Sequence, residues 1–127
     1  MEKELSNIVS AVGNYDQIPT SITSVASVVT MIDGLSISKV ADKRVWADGL
    51  LTYTVTITNN TVKEYSSPVV QDTLDILLID FVDSSVTIDG VTSSAYTYSS
   101  DTGLLTINLD KIDASSSKVI TFQVKKK

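Results

Sequence analysis

The run Leu51-Thr52-Tyr53-Thr54-Val55-Thr56-Ile57-Thr58 alternates without a break between apolar and hydroxyl side chains, and Asn59-Asn60 ends it with turn-forming residues. A period of two puts Leu51, Tyr53, Val55 and Ile57 on one face and four threonines on the other. That pattern predicts a strand with one buried face and one hydroxyl-lined face.

Working outward, similar short runs follow at close spacing. Leu35-Ser36-Ile37-Ser38-Lys39 precedes the decisive strand, and Pro68-Val69-Val70-Gln71-Asp72-Thr73-Leu74 follows it, with Pro68 expected at the strand start where a missing N–H is tolerated. Val86-Thr87-Ile88 and the run from Ala95 to Tyr98 flank Asp89-Gly90, a tight-turn dipeptide. Tyr96-Thr97-Tyr98 and Leu104-Leu105-Thr106-Ile107 are joined by Ser100-Asp101-Thr102-Gly103, a hairpin loop with glycine placed for a positive φ. Residues Val119 to Val124 alternate again, with Ile120, Phe122 and Val124 on one side. About seven strands in about 90 residues is the density of a Greek-key β-sandwich.

The first 34 residues read differently. Ile8-Val9-Ser10-Ala11-Val12 is followed by a turn-like Gly-Asn-Tyr-Asp stretch, then by Ile22 to Ile32, which contains Val25, Val28 and Val29. Ile22, Val25, Ala26 and Val29 also fit helical spacing, but the β-branched content favours a strand buried on both faces.

Composition supports an all-β chain. Of 127 residues, 16 are Val, 12 Ile and 15 Thr, stiff side chains that favour a pleated sheet. Cys and His are both absent, which removes disulfides, thiolate nucleophiles, Ser-His-Asp chemistry and nearly every zinc or copper site. The 12 Asp and 3 Glu leave two-carboxylate hydrolysis formally open, but no spacing singles out a pair, and no D-x-D-x-D-G calcium loop is present. We therefore expect no enzyme activity and no cofactor. A net charge of −5 disfavours phosphate-backbone binding. The basic run Lys125-Lys126-Lys127 reads as a solvated tail. Met1-Glu2-Lys3-Glu4-Leu5 lacks the basic start and apolar run of a secretory signal, and no stretch reaches transmembrane length, so neither nucleic acid nor membrane insertion is expected.

From Trp46-Ala47-Asp48-Gly49-Leu50 through Thr58-Asn59, then at Val69-Val70-Gln71-Asp72-Thr73-Leu74, Phe81 to Val91 and Ile120-Thr121-Phe122-Gln123-Val124, the chain resembles the bacterial surface "conserved repeat" domain, domain of unknown function eleven. The resemblance covers about residues 35–124. It implies an immunoglobulin-like sandwich of about seven or eight strands, of the kind found on cell walls and in spore appendages, with a structural or adhesive role. A single copy, no recognisable signal peptide and a long apolar start depart from the family's usual tandem setting. These features suit a small subunit that polymerises on a bacterial cell or spore surface.

The expected organisation is thus an N-terminal extension, residues 1–34, and a sandwich domain, residues 35–127. The extension reads as an assembly arm, carried by Ile8, Val9, Val12, Ile22, Val25, Val28 and Val29, that docks on a neighbour's sheet edge or else adds a strand or helix to its own domain. The expected partners are further copies of the chain, with other surface or spore-coat proteins as additional ones. A monomeric adhesion or glycan/protein-binding module is the alternative.

Three single residues stand out. Lys39 shares a strand face with Leu35 and Ile37 and so should point toward the core, and Asp72 shares one with Val70 and Leu74, so Lys39 is expected either to snorkel out from its strand end or to make a salt bridge with Asp72. Surface-protein sandwiches also use such a lysine for an isopeptide bond, for which Asn108 or a neighbour's asparagine is the available partner and Asp72 the assisting carboxylate. Trp46 is expected to cover one end of the core. Tyr96 and Tyr98 are expected to face partner subunits or solvent rather than a ligand.

Overall fold

The computed structural model describes residues 8–24, 28–29 and 34–127, and every regular element among them is a strand. In chain order they are β1 (Ile8–Tyr15), β2 (Ile18–Ser24), β3 (Val28–Val29), β4 (Leu35–Ala41), β5 (Leu50–Asn59), β6 (Tyr65–Thr73), β7 (Ile79–Phe81), β8 (Thr87–Ile88), β9 (Val91–Thr92), β10 (Tyr96–Tyr98), β11 (Leu104–Asn108), β12 (Lys111–Ile112) and β13 (Ser116–Lys126). They form two antiparallel sheets. The first runs β10-β11-β6-β1-β2-β3 with β12 also on β6; the second runs β4-β5-β13-β8-β9 with β7 also on β13. The two pack face to face as an all-β, immunoglobulin-like sandwich.

The period-two strand is the spine of the second sheet. β5 pairs β4 on one side and β13 on the other, with Val55 opposite both Lys39 and Ile120. Leu51, Tyr53, Val55 and Ile57 are buried while Thr52, Thr54, Thr56 and Thr58 are half-exposed, as alternation requires. Ile120, Phe122 and Val124 of β13 extend the same buried layer.

The N-terminal residues are not peripheral to the first sheet. β1 lies between β6 and β2, and Val9, Ala11 and Ile22 are fully buried in the common core. The stretch from Gly13 to Tyr15 continues β1, and the chain reverses at Asp16-Gln17, both at positive φ (50° and 64°). Two successive left-handed residues make the mirror-image turn whose twist suits a tight hairpin. β2 begins at Ile18 and is not buried on both faces: Ser21 is exposed, Ile22 buried and Thr23 intermediate. Residues 25–27 and 30–33, and with them Val25, lie outside the described residues, as do the side chains of Val28 and Val29.

Pro68 sits within β6, not at its start. The pairing with β1 steps from Val12↔Val69 to Asn14↔Ser66, so Ser67 and Pro68 together face Gly13 in a bulge. The bulge frees Pro68 from supplying a ladder N–H, and its carbonyl instead accepts from Leu109 N at 2.9 Å. Gly13 is required there, because a Cβ on it would lie 2.7 Å from Tyr65 Cε2. Asp89-Gly90 does form a two-residue turn, between the short strands β8 and β9. Gly103 meets the first sheet's end so closely that a Cβ would lie 2.2 Å from Leu74 O. Lys125 and Lys126 are exposed but belong to β13, where they pair Asp80 and Ile79 of β7, so the basic run is not a free tail.

Candidate functional site

The most unusual group in the core is ionic. Lys39 on β4 reaches from the second sheet to Asp72 on β6 of the first, with Nζ 2.7 Å from Oδ2 and side chains 6% and 1% exposed. The surroundings are apolar and aromatic. Nζ stands 4.1 Å from the Tyr53 ring centroid and 5.6 Å from that of Phe122, and Asp72 is flanked along the sheet by Val9 and Leu105. Burial holds the Lys39 ammonium below the usual lysine range, with the Asp72 charge and hydrogen bond working the other way. Chemically the pair is a cross-sheet clamp: a cation on β4 and a carboxylate on β6 face each other where water does not reach.

The structure does not bring Asn108 to this pair. It is exposed on β11 opposite Val69, whereas Leu105 and Ile107 of the same strand are buried. Period two sends it to the other side of the sheet.

The second group is the seat of the N-terminal hairpin. β1 pairs β6 from Ile8↔Thr73 to Tyr15↔Tyr65, so the seat is built mainly of one long strand edge. Tyr65 locks the hairpin from below. Its ring packs beside Gly13, and its hydroxyl, within reach of two carbonyls, lies 3.2 Å from Thr20 O and 3.4 Å from Ala11 O. Burial pushes its phenol up to about 12. Of the arm residues, Val9 and Ile22 face the core, whereas Ile8 and Val12 are exposed on the outer face of β1.

A third group escaped the sequence reading. Asn59, read there as turn chemistry, is fully buried. Its Nδ2 donates to the carbonyls of Lys63, Ile112 and Asp113 at 2.8–3.2 Å, and its Oδ1 accepts from Thr61 N and Oγ1. It ties the end of β5 to β12 across the core. Its place at an odd step of the decisive strand, on the face of Val55 and Ile57, was the available signal. Trp46 packs against the core edge and donates Nε1–H to Gly49 O at 3.3 Å.

Among the described residues no cluster of three or more acidic side chains is placed to hold a metal ion, and no helix is long and apolar enough to cross a membrane. No family model, curated protein or solved structure matches the chain. Any likeness to the conserved repeat domain therefore rests on the residues quoted above.

Proposed function

We propose that the chain is a non-enzymatic structural subunit that assembles with copies of itself into a bacterial surface fibre or spore appendage by exchanging its N-terminal hairpin. The observation that carries this reading is the position of β1. Strand β1 of the β1–β2 hairpin fills an interior place in a sheet, along the edge of β6. A hairpin held along one strand edge is an exchangeable module: the same register, buried side chains and Tyr65 contacts serve equally when the hairpin comes from a neighbour. Seating Val9 and Ile22 contributes roughly 1.5–3 kcal/mol each, and the main-chain ladder adds to that. The resemblance to surface and spore-appendage domains supports the location.

The absence of cysteine makes the test clean. Ser10 and Gln71 are opposite one another on β1 and β6, away from the bulge, at the separation a disulfide spans. In assembled Ser10→Cys/Gln71→Cys protein, oxidation should give a covalent ladder of chains on a non-reducing gel. Only internally bridged single chains, from material that forms filaments, would refute hairpin exchange; a chain that stays monomeric at every concentration would refute assembly altogether. The second reading, an adhesion module, is favoured by a separate feature, the aromatic groove between β7 and β10.

A further inference from the structure

At the edge of the first sheet opposite β3, strand β10 faces β7 of the second sheet across the mouth of the sandwich. The surface there opens into a groove of about 540 Å³ lined by Phe81, Asp83, Ser94, Tyr96, Thr97 and Tyr98. That volume is within the range of small-ligand sites, roughly 300–1,000 Å³. The Tyr96 and Tyr98 rings both turn toward Phe81, with centroids at 5.6 and 4.8 Å, and all three stay half-exposed.

The polar side of the groove is fixed in advance. Tyr96 OH donates to Asp83 Oδ1 at 2.5 Å and accepts from Ser84 N at 2.8 Å. Ser84 holds a left-handed φ of 62°, a conformation that a serine adopts at a cost and that here turns its amide to the phenol. Beneath it, Ser85 Oγ donates to Val82 O and accepts from Gln123 N, anchoring the loop to β13.

We propose that this groove binds a hexose unit of a neutral polysaccharide. A pyranose carries an apolar C–H face and a rim of hydroxyls on one small ring. The half-exposed rings of Phe81 and Tyr98 match the first, and the Asp83 carboxylate with the Tyr96 hydroxyl beside it matches the second. A purely apolar peptide side chain would leave those polar groups facing it without partners. An anionic ligand would meet Asp83 and, beside Tyr98, Asp80. The site is complete in one chain and does not depend on hairpin exchange.

The test is an amide-resolved NMR titration of the full chain with cellotetraose and with chitotetraose. At least one sugar should give saturable shifts confined to residues 81–84 and 94–98, unchanged by added salt because the ligand is neutral. Tyr98→Ala should weaken binding by about tenfold or more while Tyr98→Phe, which keeps the ring, stays within about threefold. Asp83→Asn should weaken it severalfold and leave the rest of the spectrum unmoved. If neither sugar shifts these amides, or Tyr98→Ala binds as well as the parent, the proposal is wrong. Salt-sensitive shifts produced by choline instead would make the groove a cation site and overturn the sugar assignment.

Discussion

Replacing Lys39 by Met removes the cation from a pair that is almost wholly out of water, while Asp72 stays buried between Val9 and Leu105. Breaking a buried pair from one side costs about 3–5 kcal/mol, against a total stability of about 5–15 kcal/mol for a domain. With a urea slope of about 2 kcal/mol/M, the midpoint should fall by roughly 2 M. Asp72→Leu should cost a similar amount. The double variant Lys39→Met/Asp72→Leu should recover most of it, because two packed apolar side chains need no desolvation of charge. The molecule supplies its own control. Lys63 and Asp16 also lie 2.7 Å apart, but with side chains 51% and 53% exposed, and breaking that pair should cost only about 0.2–1 kcal/mol. Equal distance with unequal burial isolates desolvation as the cause. Urea unfolding of the parent and the three variants, followed by circular dichroism, forms the cycle. Additive losses at Lys39 and Asp72, or a Lys39→Met cost below about 1 kcal/mol, would refute the clamp.

Other outcomes follow from the same geometry. The intact mass of assembled protein should equal that of its sequence, since Asn108 faces away from Lys39; a mass lower by one ammonia or one water, restored in Lys39→Ala, would replace the ion pair by an amide. Tyr65 keeps its proton in the folded chain up to about 12, against an unfolded value of 10.0, so its contribution is complete below pH 10 and is lost as pH rises toward 12, by about 2–3 kcal/mol in all. Lys39, held low when folded, works in the opposite sense by making the chain more stable as pH climbs toward 10.5; comparing Tyr65→Phe and Lys39→Met in alkaline unfolding separates the two. Asn59→Ala should cost roughly 1–3 kcal/mol by stranding three buried or half-buried carbonyls, and a neutral result in thermal melts would show that water replaces the amide. Deleting residues 1–24 should expose the β6 edge and much of the core, and a synthetic peptide of residues 8–24 should restore the fold when added; a truncated chain that melts like the parent would mean that β1 carries no core energy.

What could be read in advance divides along a physical line. Within one strand the period of two is dictated by backbone geometry, so the buried face of β5 and the inward aim of Lys39 and Asp72 follow from residue order alone. Their meeting across two sheets was one of two outcomes open to the sequence, since a lysine on an apolar face either snorkels out to water or finds an opposite charge. Relations between distant segments carry no such period. Nothing in Ile8-Val9-Ser10-Ala11-Val12 says that its neighbour is β6, and Gly13 beside Tyr65 gains its purpose only once the bulge at Ser67-Pro68 is formed. The groove is more remote still, since it needs β7 and β10 brought to one edge and Ser84 turned left-handed beneath Tyr96. The same division separates the frame from the two proposed sites. Locally legible features hold the sandwich together, whereas the hairpin seat and the aromatic groove arise from long-range pairing, and it is there that assembly and ligand binding are to be tested.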